Sequence, residues 1–255
     1  MLEDIYLTEV FSAIQGEGYY VGYRQIFVRL TGCNIRCDYC DQPESLQLSK
    51  GSCRIEKTCG SRDWRVEQSP YPIESLVRDV VTLDSALPHH SISITGGEPL
   101  MQSQRLPVLL SRLKDHSLRI HLETNGMLGS SLAKSVSYLD AISMDIKLSS
   151  VDNQKIALDD HLNFIEIALS RSDTVHLYAK IVVGSRTSLP ELNQAIEALS
   201  RYDRVRDIFL QPVTIFGSVK ETCSPEQLLH LHEEALRVNK NIRVVPQTHK
   251  LINQL

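Results

Sequence analysis

Residues 26–40 read IFVRLTGCNIRCDYC, so a β-branched and aromatic run leads directly into three cysteines. The run at 26–30 predicts a β-strand, and the cysteines that follow have the spacing C-x3-C-x2-C. A cubane iron–sulfur cluster has four irons, so three thiolates on one loop can bind three of them and leave the fourth open to another ligand. The stretch therefore predicts a [4Fe-4S] cluster held by Cys33, Cys37 and Cys40.

Two other readings of the cysteines stay open at this point. Cys53 or Cys59, beyond a polar stretch, could complete a structural zinc site with the triplet. The three thiols could also be ordinary buried side chains, although free cysteines seldom cluster so closely. The acidic start MLEDIYLTEV has no apolar export signal, so a reducing cytoplasm is expected. In that compartment clustered cysteines more often indicate metal or redox chemistry than disulfides.

Further strands and helices alternate along the chain. Strands are predicted over 91–95, 119–124, 141–146, 175–183, 206–212 and 241–245. Helices are predicted near 74–82, 106–113 and 192–199 and after Ser224, which forms a possible capping box with Gln227. This alternation predicts an α/β fold, a partial (β/α)6-type TIM barrel, with a doubly wound open sheet as the competing topology.

Composition and charge limit the remaining possibilities. The 255 residues are 42% hydrophobic and 23% charged, which is ordinary for one soluble globular domain. No run of eighteen apolar residues predicts a membrane span, and the net charge of −4 argues against a nucleic-acid partner. We expect a single domain over 1–255, with an irregular loop insertion at about 41–69 and a C-terminal segment at about 241–255.

Four further motifs follow predicted strands: TGGEP at 95–99, ETNG at 123–126, SMDIK at 143–147 and QP at 211–212. Because the carboxyl ends of parallel strands meet at one mouth of a barrel, these motifs are expected to surround one site. The bare backbone of Gly96 and Gly97, with the carboxylate of Glu98, could bind an ammonium group. A buried salt bridge between Asp145 and Lys147 is the structural alternative for the third motif.

The cysteine loop after the first strand of a partial barrel resembles the radical S-adenosylmethionine superfamily. The resemblance implies that the open iron binds the methionyl group of S-adenosyl-L-methionine, whose cleavage gives a 5′-deoxyadenosyl radical. It also implies a set of cofactor-binding residues, with Tyr39 beside the adenine and the glycine turn at the amino group. That set is Tyr39, Cys40, Asp41, Gly96, Gly97, Glu98, Glu123, Ser143, Asp145, Lys147 and Gln211.

A narrower resemblance rests on FSAIQGEG at 11–18, Arg29, ETNG and VVPQTHK at 244–250. Together they resemble the 7-carboxy-7-deazaguanine synthase family of queuosine biosynthesis, from residue 9 to 252. The resemblance implies a carbon–nitrogen lyase that contracts the ring of 6-carboxy-5,6,7,8-tetrahydropterin with loss of ammonia, in a tRNA modification pathway. It also implies a homodimer and a flavodoxin- or ferredoxin-type electron donor.

The same resemblance implies which residues contact the substrate: Ile14, Gln15, Gly16, Arg29, Thr95 and His249. Arg29 would pair with the substrate carboxylate, because a guanidinium matches that group in a bidentate fork. A pairing of Arg29 with an internal acid such as Glu17 is the structural alternative.

Three departures from the family pattern keep other functions in view. Gln42 stands where the family has a hydroxyl residue that helps to bind Mg²⁺, so magnesium dependence is expected to be weak. The insertion at about 41–69, which contains Cys53 and Cys59, is longer than the minimal loop of the family. The D-x-K of SMDIK also occurs in glycyl-radical activating enzymes, which act on a partner protein. That activity and a non-catalytic zinc- or cluster-binding module are the alternatives.

Overall fold

The computed structural model describes residues 3–152, 156–215 and 219–254. Its strands are β1 (Asp4–Ile5), β2 (Leu7–Ile14), β3 (Arg24–Leu30), β4 (Gly51–Glu56), β5 (Trp64–Ser69), β6 (Tyr71–Pro72), β7 (Ser91–Gly96), β8 (Ile120–Thr124), β9 (Ala141–Ile146), β10 (His176–Val183), β11 (Ile208–Pro212) and β12 (Ile242–Val244). Its helices are α1 (Ile73–Ala86), α2 (Leu106–Lys114), α3 (Gly129–Leu132), α4 (Leu158–Arg171), α5 (Leu189–Leu199), α6 (Pro225–Val238) and α7 (Thr248–Leu251).

Ten strands form one sheet in the order β12-β11-β10-β9-β8-β7-β3-β2-β4-β5. From β3 to β12 every neighbouring pair is parallel, and the spatial order follows the chain order. A doubly wound sheet reverses its strand order at a switch point, whereas these strands never reverse. The partial-barrel prediction is therefore confirmed, and the competing topology is wrong.

Alternation along the parallel strands separates an apolar outer face from a polar barrel interior. In β7, Ile92 and Ile94 belong to the main apolar core. The residues between them point the other way, because successive side chains of a strand face opposite sides. Ser93 and Thr95 accordingly donate hydrogen bonds to the carboxylate of Glu123 on β8. The helices cover the apolar face, and the interior is left to polar side chains.

Most predicted elements lie close to their observed positions, and 141–146 coincides with β9. The capping box is only half formed. Ser224 Oγ accepts from the backbone N–H of Gln227 at 3.1 Å, as expected. The Gln227 side chain, however, donates to the carbonyl of Ser185 at 2.9 Å and so ties α6 to a neighbouring loop. In the part of the chain that the structure describes, no helix has the length and apolarity to cross a membrane.

The prediction of an irregular insertion at 41–69 is wrong for its second half. β4 and β5 form an antiparallel hairpin, and β4 joins the sheet by pairing with β2. The turn of the hairpin winds around the buried carboxylate of Glu56, which accepts from the backbone N–H groups of Gly60 at 3.0 Å and Arg62 at 2.8 Å. A buried acid at the end of a strand breaks the apolar alternation, so the sequence carries no strand pattern there.

Candidate active site

A pocket opens at the carboxyl ends of the parallel strands and collects most of the predicted site residues. Loops after β3, β7, β8, β9 and β11 supply its wall, together with the segments around residues 14–17 and 247–249. The predicted residues that line it are Ile14, Gln15, Gly16, Arg29, Cys33, Cys37, Tyr39, Cys40, Asp41, Gln42, Thr95, Gly96, Gly97, Glu123, Asp145, Lys147, Gln211 and His249.

The three thiols of the cysteine loop are half-buried on one wall of this pocket. Burial raises the pKa of each thiol, that of Cys37 to about 12, while the Lys147 ammonium lowers it. Free thiols are therefore protonated at neutral pH, and cluster binding must release those protons. A cation whose charge acts on all three thiols suits an anionic cluster held by thiolates, so the donor set fits a [4Fe-4S] cluster.

Among the described residues no three His, Cys, Asp or Glu side chains stand together as a ligand set for a single metal ion. A cubane cluster does not require that arrangement, because each thiolate binds a different iron. The zinc alternative does require it. Cys53 and Cys59 also lie away from the pocket: their sulfurs contact the carbonyls of Gln68 at 3.7 Å and Leu83 at 3.3 Å.

Four buried charges form a continuous network along the floor of the pocket. Asp145 pairs with Lys147 at 2.9 Å and with Lys180 at 3.0 Å, and Lys180 also pairs with Glu17 at 2.5 Å. Burial alone lowers the pKa of a lysine, yet the facing carboxylates hold the pKa values of both lysines well above their usual range. Burial likewise raises the pKa of Glu17, but the Lys180 ammonium overrides it and lowers that pKa strongly. Two positive and two negative charges therefore balance. The salt bridge between Asp145 and Lys147 is the structural alternative predicted for SMDIK, whereas the sequence does not predict the contact with Lys180.

Glu98 does not line the pocket, and its predicted contact with the cofactor stays a prediction. Its carboxylate is completely buried and accepts from the backbone N–H groups of Leu100 at 3.0 Å and Asn125 at 2.7 Å, and from the Thr124 hydroxyl at 2.9 Å. Burial raises its pKa to about 7, against these donors. Glu98 therefore fastens the glycine turn to the end of β8.

The backbone of the glycine turn does reach the pocket. Gly96 has φ of +124°, and a Cβ there would lie 2.0 Å from the carbonyl oxygen of Leu30. Only glycine fits this turn, which leaves Gly96 and Gly97 on the pocket wall without side chains. Ser143 is 1% exposed and also does not line the pocket, so its predicted cofactor contact likewise stays a prediction.

Glu123 belongs to the predicted cofactor-binding set, but its carboxylate contacts Gln15 and Thr95 of the predicted substrate-binding set. Its Oε1 accepts from the Gln15 side-chain amide at 2.8 Å and from the Ser93 hydroxyl at 2.7 Å. Its Oε2 receives the Thr95 hydroxyl at 3.3 Å. The amide of Gln15 also donates to Gln25 at 2.9 Å, so both side chains are fixed from below.

The C-terminal segment closes one side of the pocket by docking on the loop after β2. The backbone N–H of Thr248 donates to the carbonyl of Gly16 at 2.9 Å, and the Gln247 amide donates to Glu17 at 2.7 Å. A Cβ on Gly16 would lie 2.3 Å from His249 Nδ1, so glycine is what lets the two segments touch. Burial lowers the pKa of His249, although Glu17 and Asp41 oppose the shift.

Arg29 has an internal partner, and it is Glu9 rather than Glu17. The Nε of Arg29 lies 2.8 Å from Glu9 Oε1, and Arg54 binds the other oxygen of the same carboxylate at 2.5 Å. The guanidinium also stands 5.3 Å from the ring centroid of Phe11. Arg29 still lines the pocket, so its contact with a substrate carboxylate stays a prediction.

The residues around Gln42 do not fit a magnesium site. Oδ2 of the neighbouring Asp41 faces two N–H donors, Lys250 Nζ at 2.9 Å and the Gln247 amide at 3.2 Å. Mg²⁺ needs oxygen ligands in near-octahedral geometry. A carboxylate already occupied by an ammonium beside an amide does not supply them.

Comparison with known proteins assigns the site to a class. Residues 27–187 match the family model described as the Radical SAM superfamily. Fold and site thus define a radical S-adenosylmethionine (SAM) enzyme. Two curated relatives, both named 7-carboxy-7-deazaguanine synthase, match nearly end to end. The one from Geobacter sulfurreducens is 40% identical, covering 98% of this chain and 97% of its own length. The one from Methanopyrus kandleri is 36% identical, covering 96% and 92%. The chain belongs to the 7-carboxy-7-deazaguanine synthase family.

Solved structures support the same fold. The crystal structure of QueE from Escherichia coli aligns with a TM-score of 0.56 at 19% identity, over 95% of this chain and 93% of that one. Streptococcus suis SuiB, solved with its precursor peptide SuiA, aligns with a TM-score of 0.58 at 14% identity, over 94% of this chain and 49% of that one. At these identities the likeness concerns the fold alone.

Proposed function

We propose that this chain converts 6-carboxy-5,6,7,8-tetrahydropterin to 7-carboxy-7-deazaguanine with loss of ammonia. One observation carries the proposal: a single pocket brings the cysteine loop together with the loop at 14–17 and the segment at 247–249. The first of these belongs to radical SAM enzymes in general, and the other two are what the sequence shares with the synthase. The names of the curated relatives agree.

The cofactor side of the pocket would hold a [4Fe-4S] cluster and S-adenosyl-L-methionine, which supply the radical that removes a hydrogen atom from the substrate. Cys33, Cys37 and Cys40 would ligate the cluster. Gln211 lines the pocket with its side-chain oxygen buried and unpartnered among the described residues, so it can accept an N–H group of the nucleoside. The bare backbone of Gly96 and Gly97 leaves room for the methionyl group.

On the substrate side, the chain's residues bind and orient the pterin. Arg29 would attract its carboxylate, while Gln15, Thr95 and Glu123 present one amide, one hydroxyl and one carboxylate to its ring. His249 and Gly16 would close over it and exclude water, which protects a reactive species from side reactions.

The wider setting of the enzyme follows from the family resemblance. We propose one catalytic domain in a cytoplasmic homodimer that receives electrons from a flavodoxin- or ferredoxin-type protein and supplies a tRNA modification pathway. No finding supports the alternative of an activating enzyme for a partner protein.

The test is an anaerobic turnover with reconstituted enzyme, S-adenosyl-L-methionine, a reductant and the pterin, followed by mass analysis. We expect the mass of 7-carboxy-7-deazaguanine and one ammonia for each product. The Cys37→Ala protein should make none, whereas Cys53→Ala, whose sulfur lies in the hairpin, should match the unmodified enzyme. A reconstituted enzyme with an intact cluster that leaves the pterin unchanged would refute the proposal.

A further inference from the structure

Beneath the pocket a row of polar side chains leads from Glu123 into the barrel. Ser93 Oγ lies 2.7 Å from Glu123 Oε1, and His121 Nδ1 lies 3.5 Å from Ser93 Oγ. The other ring nitrogen of His121 lies 2.9 Å from the Tyr178 hydroxyl. Ser93, His121 and Tyr178 are each at most 1% exposed, so water does not compete for these bonds.

Counting hydrogens gives this row a direction. Ser93 has one hydroxyl hydrogen, and it donates that hydrogen to the carboxylate of Glu123, which has none to give. Ser93 Oγ can therefore only accept from His121 across this 3.5 Å contact, which favours the tautomer with the hydrogen on Nδ1 of His121. A neutral imidazole has one N–H, so its Nε2 must accept from the hydroxyl of Tyr178. The opposite tautomer would set two lone pairs, on Nδ1 and on Ser93 Oγ, against each other.

We propose that His121 and Tyr178 are positioning residues for the reaction, which hold the carboxylate of Glu123 as an acceptor aimed at an N–H group of the substrate. Glu123 lines the pocket. Its Oε1 is occupied by Ser93 and Gln15, whereas among the described residues Oε2 accepts the longer bond from Thr95. The inference rests on the proposed function, because the pterin ring supplies the N–H group. It assigns to substrate selection two buried residues that touch neither substrate nor cofactor.

The chain of bonds requires His121 to stay neutral, and its surroundings favour that state. Burial, followed by the Lys180 ammonium, lowers the pKa of His121 to about 3. The titratable and charged groups that face it from the surrounding elements are Tyr20, His90, Glu123, His176, Tyr178 and Lys180. An imidazole with its ordinary pKa would instead gain a proton near neutrality, and both of its ring nitrogens would then be donors.

The first test reads the tautomer directly, without substrate. Holoenzyme labelled with 15N in its nine histidines is compared with the His121→Gln protein to assign the His121 signals. We expect the neutral Nδ1–H form, with no titration from about pH 5 to about pH 8. The Nε2–H form, or a midpoint within that range, would overturn the inference.

If His121→Gln does not fold, Tyr178→Phe provides the assignment, because loss of its hydroxyl should move only the Nε2 signal of His121. The matched control is Tyr20→Phe. Its hydroxyl is also buried but bonds to His176 at 3.2 Å, although its ring centroid is 5.3 Å from that of His121. The His121 signals should keep their tautomer in this control.

The second test measures turnover. Tyr178→Phe should raise KM for the pterin about two- to tenfold, the effect of one lost hydrogen bond, with unchanged cluster content. Tyr20→Phe should leave KM unchanged. Equal KM values in Tyr178→Phe and Tyr20→Phe would refute the positioning role of Tyr178, even if His121 has the expected tautomer. A wild-type enzyme without product would instead count against the proposed function, while the NMR result would still stand.

Discussion

Replacement of Lys180 by Met should destabilise the protein strongly, and the loss should depend on pH. Lys180 is 4% exposed and stands between Glu17 and Asp145. Its loss changes the four-charge network from 2 − 2 = 0 to 1 − 2 = −1, with two buried carboxylates facing one remaining cation. Breaking a buried pair by removing one partner costs about 3–5 kcal/mol. For a chain of this size that lowers Tm by roughly 6–20 °C, at about 2–4 °C per kcal/mol.

The sign of the pH dependence distinguishes the loss of the Lys180 charge from a loss of side-chain packing alone. In the wild type the folded-state pKa of Glu17 is depressed, so its contribution is present above its unfolded pKa and is lost as pH falls through the folded value. In Lys180→Met the main opposing charge is absent, so burial should raise the folded pKa of the same carboxyl group. Its protonation at lower pH should then reduce the destabilisation. The stability difference between the two proteins should therefore shrink as pH falls from about 8 to about 5.

Urea unfolding of the anaerobic protein at both pH values measures this difference. The matched control is Lys114→Met, because Lys114 pairs with Asp140 at 2.5 Å but is 31% exposed. An exposed pair should cost less than about 1 kcal/mol. A Lys180→Met protein that loses no more than the control, or whose loss is the same at both pH values, would refute the reasoning.

Three further predictions concern the pocket itself. Cys37→Ala should lose the cluster absorption and all turnover, whereas Cys53→Ala should keep both; an intact, redox-active cluster in Cys37→Ala would contradict the ligand assignment. Arg29→Ala should lower kcat/KM by an amount that corresponds to roughly 2–5 kcal/mol of lost transition-state binding, with unchanged cluster content. Arg29→Lys should lower it less, because lysine keeps the charge but loses the bidentate fork. A normal KM with a much lower Tm would show that Arg29 acts only through its structural pair with Glu9. Turnover should need no added Mg²⁺, and Gln42→Thr should increase the response to it; a wild type that is inactive without Mg²⁺ would show that inference to be wrong.

The sequence was sufficient to predict the parallel strands and most of the residues that line the pocket. Motifs at the ends of β3, β7, β8 and β9 had to meet, because parallel strands place their carboxyl ends at one mouth. The orientation of Glu98 could not be predicted, because a motif does not tell whether a carboxylate faces the pocket or turns inward to the N–H groups of Leu100 and Asn125.

Residues that depend on distant partners could not be predicted. Lys180 lies in β10, whose sequence HLYAKIVV reads as an ordinary buried strand. Lys180 forms an ion pair with Glu17, which is far away in the chain, and no local sequence pattern predicts that contact. The hydrogen bond between His121 and Tyr178 could not be predicted either, because it joins two strands that are not neighbours in the sheet. A polar residue on the inward face of a barrel strand is the one signal that could have identified them.

The most direct test of the proposed function follows a deuterium atom placed at C6 of the pterin through anaerobic turnover. We propose that the adenosyl radical takes the hydrogen at C6 and that S-adenosyl-L-methionine is regenerated in each cycle. In that case 7-carboxy-7-deazaguanine and ammonia form in equal amounts, and the deuterium is recovered in S-adenosyl-L-methionine. Cleavage of the cofactor without product, with deuterium retained in unchanged pterin, would contradict it.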